Sequence, residues 1–317
     1  MYYAGIDLGG TNIVAGVLDE NYNIIAKDRI KTALPRSAES IIDDMAKAMR
    51  GAIKNAGITL ADIDCVGVGC PGSMDMKTGV ITYSNNLDWW NVPLVQMLSD
   101  RLDGKKVVID NDANAAALGE LKAGCGVGKD SIVAITLGTG VGGGVIFDGK
   151  ILSGFNGAGG ELGHTVTVMD GEPCTCGRKG CFEAYASATA LIRQTKAAME
   201  KDPSSKMWEI AGSIERVNGL TAFEAMRAGD AAGKAVVDRY IYNVACGITN
   251  FINIFQPEVL CLGGGVCNEG DNLLRPLISI VEKERYSKVS EKQTEIKIAK
   301  LGNDAGIIGA ALLSTMA

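Results

Sequence analysis

The sequence predicts an α/β fold of two lobes with a cleft between them. Strands alternate with helices, a strand–glycine turn–strand unit occurs twice, and 317 residues exceed what one ordinary hydrophobic core holds. The repeated unit favours a duplicated α/β half over a short-period solenoid. Because ligands tend to bind where domains meet, the cleft is the expected binding site.

The predicted elements begin with the first residues. Two short apolar strands, Tyr2–Leu8 and Ile13–Val17, flank the turn Gly9–Asn12. An apolar stripe predicts an amphipathic helix over Ala38–Asn55, which stops before Gly57. The remaining predictions are strands at 65–69 and 106–110, a helix at 115–122, a second strand–turn–strand unit at 132–147, a strand at 259–262 and an apolar helix from 304 onward.

The expected domain boundary lies near residues 113–126, where the spaced glycines Gly124, Gly126 and Gly128 can serve as a hinge. We expect a small N-terminal α/β domain at 1–115, completed by the C-terminal helix at about 304–317. The large α/β domain, 116–303, then carries a cysteine-rich segment.

Composition excludes several classes of partner. The net charge of −6 and the pI near 5.1 argue against binding to nucleic acid or to an anionic membrane, since both require a basic face. No run of 18 apolar residues occurs, and no basic-then-apolar leader precedes the first strand. The nine cysteines are odd in number and mostly scattered through apolar segments, which favours reduced thiols. We expect a cytoplasmic, enzyme-like protein.

Two glycine turns are candidate phosphate sites. Glycines in Gly9–Asn12 and Gly138–Gly140 let backbone amides approach an anion, and the Thr and Asn side chains add donors. Two such turns facing a cleft can hold a triphosphate, although each alone is also typical of a tight hairpin. A Rossmann site is not supported, because Gly138-x-Gly140-x-x-Gly143 precedes a strand and Gly67-x-Gly69-x-x-Gly72 contains Pro71. A P-loop motif is absent from the sequence.

Asn111 and Asp112 lie where a predicted strand ends and a helix begins, a favoured position for ligand sites in α/β folds. The positive end of the helix keeps a carboxylate there ionised. An ionised Asp112 can accept a hydroxyl proton while the hydroxyl oxygen attacks phosphorus. The alternative is that Asp112 only caps the helix.

The only histidine stands close to a cysteine cluster. His164, Cys174, Cys176 and Cys181 offer one nitrogen and three sulfurs, a donor set typical of a closed tetrahedral zinc site. Unligated thiols, a disulfide and a thioredoxin-like redox pair are the alternatives, but the spacing is Cys-x-Cys rather than Cys-x-x-Cys. Four protein ligands leave no open position, so the zinc is expected to be structural.

A histidine committed to metal cannot serve a Ser-His-Asp or Cys-His triad. The general base is then a carboxylate, Lys, Tyr or Cys, and Asp112 is the best placed. Glu161 and Glu183 flank the cysteine segment, where each can accept hydrogen bonds from ligand hydroxyls, although an isolated Glu is usually a solvated surface residue.

Six segments resemble, in the same order, the motifs of ROK-family sugar kinases, members of the sugar kinase/Hsp70/actin superfamily. They are Asp7–Asn12, Asn111–Asn114, Leu137–Gly140, Gly160–His164, Cys174–Glu183 and Leu262–Gly265. The resemblance spans essentially the whole chain, and within the family it is strongest to bacterial ATP-dependent glucokinases. It implies a two-lobed actin-like fold and transfer of a phosphoryl group from ATP to the 6-hydroxyl of a hexose.

The resemblance also implies a role for each matching residue. Asp112 would be the catalytic base, and Asp7 would lie near the Mg²⁺ that accompanies ATP. The sugar hydroxyls would be bound by Asn111, Asp112, Glu161, His164 and Glu183. The phosphates would be contacted by Gly10, Thr11, Asn12, Thr139 and Gly140, and the adenosine would be bordered by Gly263, Gly264 and Gly265. One ring nitrogen of His164 would bind zinc while the other faces the sugar.

The form of Gly160–His164 resembles that of glucokinases and favours glucose. N-acetylmannosamine kinases share the same His/Cys architecture, so the alternative is an N-acetylmannosamine kinase or another ROK hexose kinase. Repressors of the family carry an N-terminal helix-turn-helix, which we do not expect here because the first strand begins at Tyr2. A sugar-binding protein without catalysis is disfavoured by the presence of Asp7, Asn111 and Asp112. A homodimer or higher homo-oligomer is a family-level expectation.

Overall fold

Alternating strands and helices make up the structure, a computed structural model that describes residues 1–316. Its strands are β1 (Tyr2–Leu8), β2 (Asn12–Leu18), β3 (Ile24–Lys31), β4 (Ile63–Cys70), β5 (Ser73–Asp75), β6 (Val80–Ser84), β7 (Trp89–Val92), β8 (Lys106–Asn111), β9 (Ile132–Leu137), β10 (Val141–Phe147), β11 (Lys150–Ile151), β12 (Val259–Gly263) and β13 (Glu295–Ile298). Its α-helices are α1 (Ala38–Asn55), α2 (Leu94–Arg101), α3 (Asp112–Ala123), α4 (Glu183–Ala186), α5 (Ala188–Lys201), α6 (Met207–Ala211), α7 (Thr221–Arg227), α8 (Ala231–Phe255), α9 (Asp271–Glu284) and α10 (Ala305–Leu312).

The predicted first helix is confirmed with its bounds, because local and tertiary signals agree there. Ser37 caps α1 by accepting a hydrogen bond from the amide of Ser40. Ile41, Met45 and Met49 recur at helical spacing and are fully buried in the core of the first sheet.

The first sheet brings the predicted catalytic segment to one edge. Its strand order is β3-β2-β1-β4-β8, with β1 antiparallel to β2 and parallel to β4, and β4 parallel to β8. In register, Asp7 of β1 lies opposite Gly69 of β4, and Gly69 lies opposite Asp110 of β8. The carboxyl ends of three parallel strands therefore meet where Asp7, Cys70 and Asn111 stand.

The C-terminal helix predicted from residue 304 is confirmed as α10, which packs on this sheet and on α3. The packing is close enough to require glycine. A Cβ at Gly67 of β4 would lie 1.8 Å from the carbonyl oxygen of Ala310, and one at Gly309 would lie 1.6 Å from that of Ala115. Small residues therefore let the backbones of α10, β4 and α3 approach one another.

The second five-stranded sheet has the order β11-β10-β9-β12-β13 and contains the second predicted strand–turn–strand unit. In both sheets the first strand of the unit is central, the next two strands follow on one side, and two later strands lie on the other. The outer pairs match as well, since β10–β11 is antiparallel and β12–β13 is parallel. This common order supports the predicted duplication. A small third sheet, β5-β6-β7, was not predicted from the sequence.

Two units of dense internal contact divide the chain. The first comprises 1–134, 144–160 and the residues from 299 onward, and the second comprises 135–143 and 161–298. The boundaries of these units differ from those of the predicted domains 1–115 and 116–303. The predicted domain boundaries stay a prediction. Along residues 1–316, the helices lack the combination of length and apolar composition that crossing a bilayer requires.

Candidate active site

Two carboxylates and a thiol lie close together at the carboxyl edge of the first sheet. Burial, and then the charge of Asp112, raises the pKa of Asp7 from 3.8 to about 6. Burial, followed by Asp112 and Asp7, raises the pKa of the Cys70 thiol well above its ordinary value. Because the charge of Asp112 raises the pKa values of both Asp7 and Cys70, this edge favours a bound cation or a proton.

Asn111, not Asp112, caps α3. The side-chain oxygen of Asn111 accepts hydrogen bonds from the amides of Ala113 at 2.8 Å and Asn114 at 3.4 Å. The alternative that Asp112 serves only as the cap is therefore wrong. Asp112 is instead the first residue of α3, and its Oδ1 accepts from the Ala113 amide at 2.9 Å, which places the carboxylate at the positive end of the helix.

The buried side chains of Asp110 and Asn114 stabilise the junction between β8 and α3. Oδ1 of Asp110 accepts hydrogen bonds from Nδ2 of Asn114 at 2.8 Å and from the amide of Asn111 at 2.7 Å. Burial raises the pKa of Asp110, and the two hydrogen bonds partly oppose that shift. Asp110 was not singled out from the sequence, although an Asp and an Asn four residues apart across a strand–helix junction are a usable signal.

The first glycine turn is held by a residue at the end of β3. The hydroxyl of Thr32, which is fully buried, donates to the carbonyl of Gly9 at 2.6 Å, and its amide donates to the carbonyl of Thr11 at 3.0 Å. Gly10 and Thr11 are exposed. Asn12 is a predicted phosphate ligand. Its side-chain oxygen already accepts a hydrogen bond from Nε of Arg29 at 2.9 Å.

The second glycine turn has the same kind of support. The amide of Ala188 donates to the carbonyl of Gly138 at 2.8 Å, and the hydroxyl of Thr189 donates to the carbonyl of Thr139 at 2.8 Å. Both donors stand at the start of α5. Neither Thr32 nor Thr189 was singled out from the sequence, because each is distant along the chain from the turn it contacts.

Glu183 adds a further contact to this turn. Its Oε2 accepts from the amide of Val141 at 2.9 Å, and a Cβ placed on Gly140 would lie 2.5 Å from the same oxygen. A larger residue at 140 would therefore displace the carboxylate of Glu183 from this position. Glu183 is the first residue of α4. This predicted sugar ligand therefore also contacts Val141, the residue that follows the second glycine turn.

The four predicted metal ligands come together. The donor atoms of His164, Cys174, Cys176 and Cys181 all lie within 4.8 Å of one another. Nδ1 of His164 is 3.6 Å from Sγ of Cys174, and Sγ of Cys176 is 3.6 Å from Sγ of Cys181. Zn–S bonds of about 2.3 Å in a tetrahedron put two sulfurs about 3.8 Å apart, so the spacing and the donor types fit zinc.

The backbone around the cluster is fixed by a glycine and an arginine. Gly180 has φ +78°, and a Cβ there would lie 1.7 Å from the carbonyl oxygen of Val168. A guanidinium nitrogen of Arg178 donates to the carbonyl of His164 at 3.1 Å. Since Nδ1 of His164 faces Cys174, Nε2 is the ring nitrogen left for another partner.

The remaining predicted residues stand at two further positions. Glu161 is exposed and directly precedes the short 3₁₀ turn Leu162–His164, where its carbonyl accepts from the His164 amide at 3.1 Å. Gly263 ends β12, and Gly264 and Gly265 follow it at the carboxyl end of that strand. Gly264 has φ +95°, and a Cβ there would lie 2.3 Å from the carbonyl oxygen of Leu137.

The order of these sites along the chain is that of one protein family. A model of the ROK family matches residues 3–316. The chain belongs to the ROK family. The resemblance seen in the motifs is thus confirmed, and so is the actin-like α/β fold that it implied.

Similar proteins within the ROK family include two glucokinases. The chain is 40% identical to a glucokinase of Thermotoga maritima over 97% of this chain and 95% of the relative. It is 39% identical to a glucokinase of Halalkalibacterium halodurans over 98% of this chain and 94% of the relative. Among solved structures, a ROK-family glucokinase from Streptomyces griseus, in complex with glucose and AMPPNP, matches with a TM-score of 0.82 and 35% identity over 100% of both chains.

Proposed function

We propose that the protein transfers the γ-phosphoryl group of ATP to the 6-hydroxyl of a hexose, with glucose as its main substrate. The observation that carries the proposal is the pair Asp7 and Asp112 at the carboxyl edge of the first sheet, with Asp112 at the positive end of α3. The near-full-length likeness to glucokinases supports the choice of glucose.

Asp112 is the general base in this proposal. Its carboxylate takes the proton from the 6-hydroxyl as that oxygen attacks the γ-phosphorus, and the bond from phosphorus to the β–γ bridging oxygen breaks to release ADP. The helix end favours the ionised form that a base requires. Asp7, with the acidic neighbour Asp112, is the residue that would hold Mg²⁺ beside the phosphates; the ion would neutralise charge on them.

The two glycine turns are the proposed phosphate sites. Their backbone amides, together with the side chains of Thr11, Asn12 and Thr139, would bind the phosphates, and the Gly263–Gly265 segment would border the adenosine. Backbone amides and side-chain hydroxyls donate hydrogen bonds to phosphate oxygens and so stabilise their negative charge.

The cysteine cluster is proposed as a structural zinc site that braces the sugar-binding residues. His164, Cys174, Cys176 and Cys181 would hold the ion, and Nε2 of His164 would face a sugar hydroxyl. Asn111, Asp112, Glu161 and Glu183 are the other proposed sugar ligands. The domain boundaries predicted from the sequence, cytoplasmic localisation and assembly into a homodimer or larger homo-oligomer belong to the same proposal.

A coupled assay of ADP release tests this function. The protein is assayed with ATP and Mg²⁺ against glucose, N-acetylmannosamine, fructose, mannose and allose, and we expect the highest kcat/KM with glucose. A clear preference for N-acetylmannosamine would replace the proposed substrate. Hydrolysis of ATP that no sugar stimulates would overturn the kinase assignment.

A further inference from the structure

We propose that Thr32 and Thr189 are positioning residues that orient the peptide units of the two glycine turns toward phosphate. The inference rests on the proposed ATP site and extends it to two residues outside the phosphate-binding turns. Thr32 is the stronger case because its side chain is fully buried.

In a trans peptide, the C=O and the N–H of one unit point in opposite directions. The carbonyl of Gly9 is bound by the Thr32 hydroxyl at 2.6 Å. The amide of Gly10, which belongs to the same peptide unit, therefore points away from Thr32. Gly10 is exposed, and a Cβ placed on it would meet nothing within 4 Å, so an anion can approach.

The second turn repeats this arrangement. The carbonyl of Gly138 accepts from the Ala188 amide, which directs the amide of Thr139 the other way. The carbonyl of Thr139 accepts from the Thr189 hydroxyl, which does the same for the amide of Gly140. The amides so directed belong to Gly10, Thr139 and Gly140, all of which are proposed phosphate ligands.

Without such a bond a glycine turn has little to fix its orientation. A Gly–Gly peptide can rotate because both residues tolerate positive and negative φ. A turn that samples several orientations binds phosphate more weakly, since binding must then order the turn. The hydroxyl of Thr32 also gives the partly buried carbonyl of Gly9 a hydrogen-bond partner, and removing that partner costs free energy.

The test compares Thr32→Val with Thr32→Ser. Valine keeps the shape but removes the donor, whereas serine keeps the donor. We expect Thr32→Val to weaken ADP binding, measured by calorimetry, and to raise the KM for ATP by about tenfold, or about 1.4 kcal/mol. The KM for glucose should stay unchanged, and Thr32→Ser should restore both the affinity for ADP and the KM for ATP. Thr189→Val should shift the same two values by a smaller factor, because Thr189 is exposed and water can replace its hydroxyl.

Thr294→Val is the matched control. The Thr294 hydroxyl is also buried and donates to a backbone carbonyl, that of Pro257 at 2.7 Å, at the amino end of β12 and β13. Its loss should lower the melting temperature without changing nucleotide affinity. An unchanged ADP affinity in Thr32→Val, or an equal loss in Thr294→Val, would overturn the inference. Because ADP binding is measured without sugar, a wild-type protein that phosphorylates no hexose would refute the proposed function and leave this comparison valid.

Discussion

The carboxylate of Glu183 accepts a hydrogen bond from the amide of Val141 at 2.9 Å. Its other oxygen lies 3.3 Å from the hydroxyl of Thr175 and 3.7 Å from Sγ of Cys174. One side chain therefore contacts both the cysteine cluster and the second glycine turn. A proposed sugar ligand in this position also affects the shape of a proposed phosphate site.

Replacing Glu183 with Ala should raise the KM values for ATP and for glucose together. A hydrogen bond to a charged group is worth about 1.5–3 kcal/mol, so about a tenfold change in each is expected. Initial rates over a grid of both substrates measure the two constants. Glu172→Ala is the control, because that side chain lies in the loop that leads to α4 and makes a half-exposed ion pair with Arg193 at 3.8 Å. A rise in the KM for glucose alone would show that the Val141 contact has no effect on the turn.

Asp112→Asn should abolish most turnover without weakening sugar binding. The amide keeps the size of the side chain but cannot take a proton, and general-base catalysis contributes about 10²–10⁴-fold. We expect kcat to fall by about that factor, with glucose affinity, measured by calorimetry, unchanged. A variant that stays fully active would exclude Asp112 as the base.

The pKa of Asp7 predicts a pH-dependent stability. Because burial and Asp112 raise this pKa from 3.8 to about 6, the folded protein binds more protons than the unfolded chain between these values. The contribution of Asp7 to the free energy of unfolding therefore falls as the pH rises. The decrease is about 2 kcal/mol between about pH 4.5 and pH 7. Asp7→Asn removes the titration.

Urea denaturation of the wild type and Asp7→Asn at several pH values checks this. The difference between their free energies of unfolding should shift in favour of the variant as the pH rises. A difference that is constant from pH 4.5 to pH 7 would mean that Asp7 titrates normally in the folded protein. The comparison cancels the contributions of groups that titrate alike in both proteins.

The cysteine cluster predicts bound zinc. Elemental analysis should find close to one zinc per chain, and Cys176→Ala should lose most of it, with a lower melting temperature and a higher KM for glucose. Cys246→Ala is the matched control, because Cys246 belongs to neither group of potential metal ligands. A wild-type preparation that is fully active and free of zinc would refute the structural role.

The sequence predicted those parts of the fold that depend on local pattern. The apolar stripe of α1, and the short apolar strands separated by glycine turns in both sheets, can be recognised directly in the sequence. Helix α8 was not predicted from the sequence, although its exposed residues Lys234, Asp238 and Tyr242 recur at helical spacing and thirteen of its other residues are buried. The third sheet was missed because β5, β6 and β7 are only three to five residues long.

The candidate site divides in the same way. The metal ligands stand close together in sequence, so their types and spacing were enough to predict the cluster that the structure brings together. Thr32 and Thr189 act on turns that lie 23 and 50 residues away, and no local pattern encodes such a contact. Candidate ligand-binding residues were therefore easier to identify from the sequence than the residues that hold them in place.

Glu120 supplies the last prediction, on stability. This carboxylate is 3% exposed and accepts hydrogen bonds from the amides of Cys125, Lys300 and Leu301 at 2.8–3.1 Å, so it ties α3 to the segment before α10. A Cβ on Gly124 would lie 2.0 Å from its Oε2, which makes Gly124 part of this arrangement. Glu120→Ala leaves three amides without their acceptor and should lower the free energy of unfolding by about 2–4 kcal/mol.

Urea denaturation measures the loss at Glu120, and Glu282→Ala is its control. Glu282 is an exposed glutamate within α9, so its removal should change the free energy of unfolding by less than about 0.5 kcal/mol. Glu120→Gln keeps one acceptor oxygen and should fall between the wild type and Glu120→Ala. Equal stabilities of Glu120→Ala and Glu282→Ala would show that the three amides find other acceptors in the variant, since partly buried amides left without any would cost more than an exposed side chain contributes.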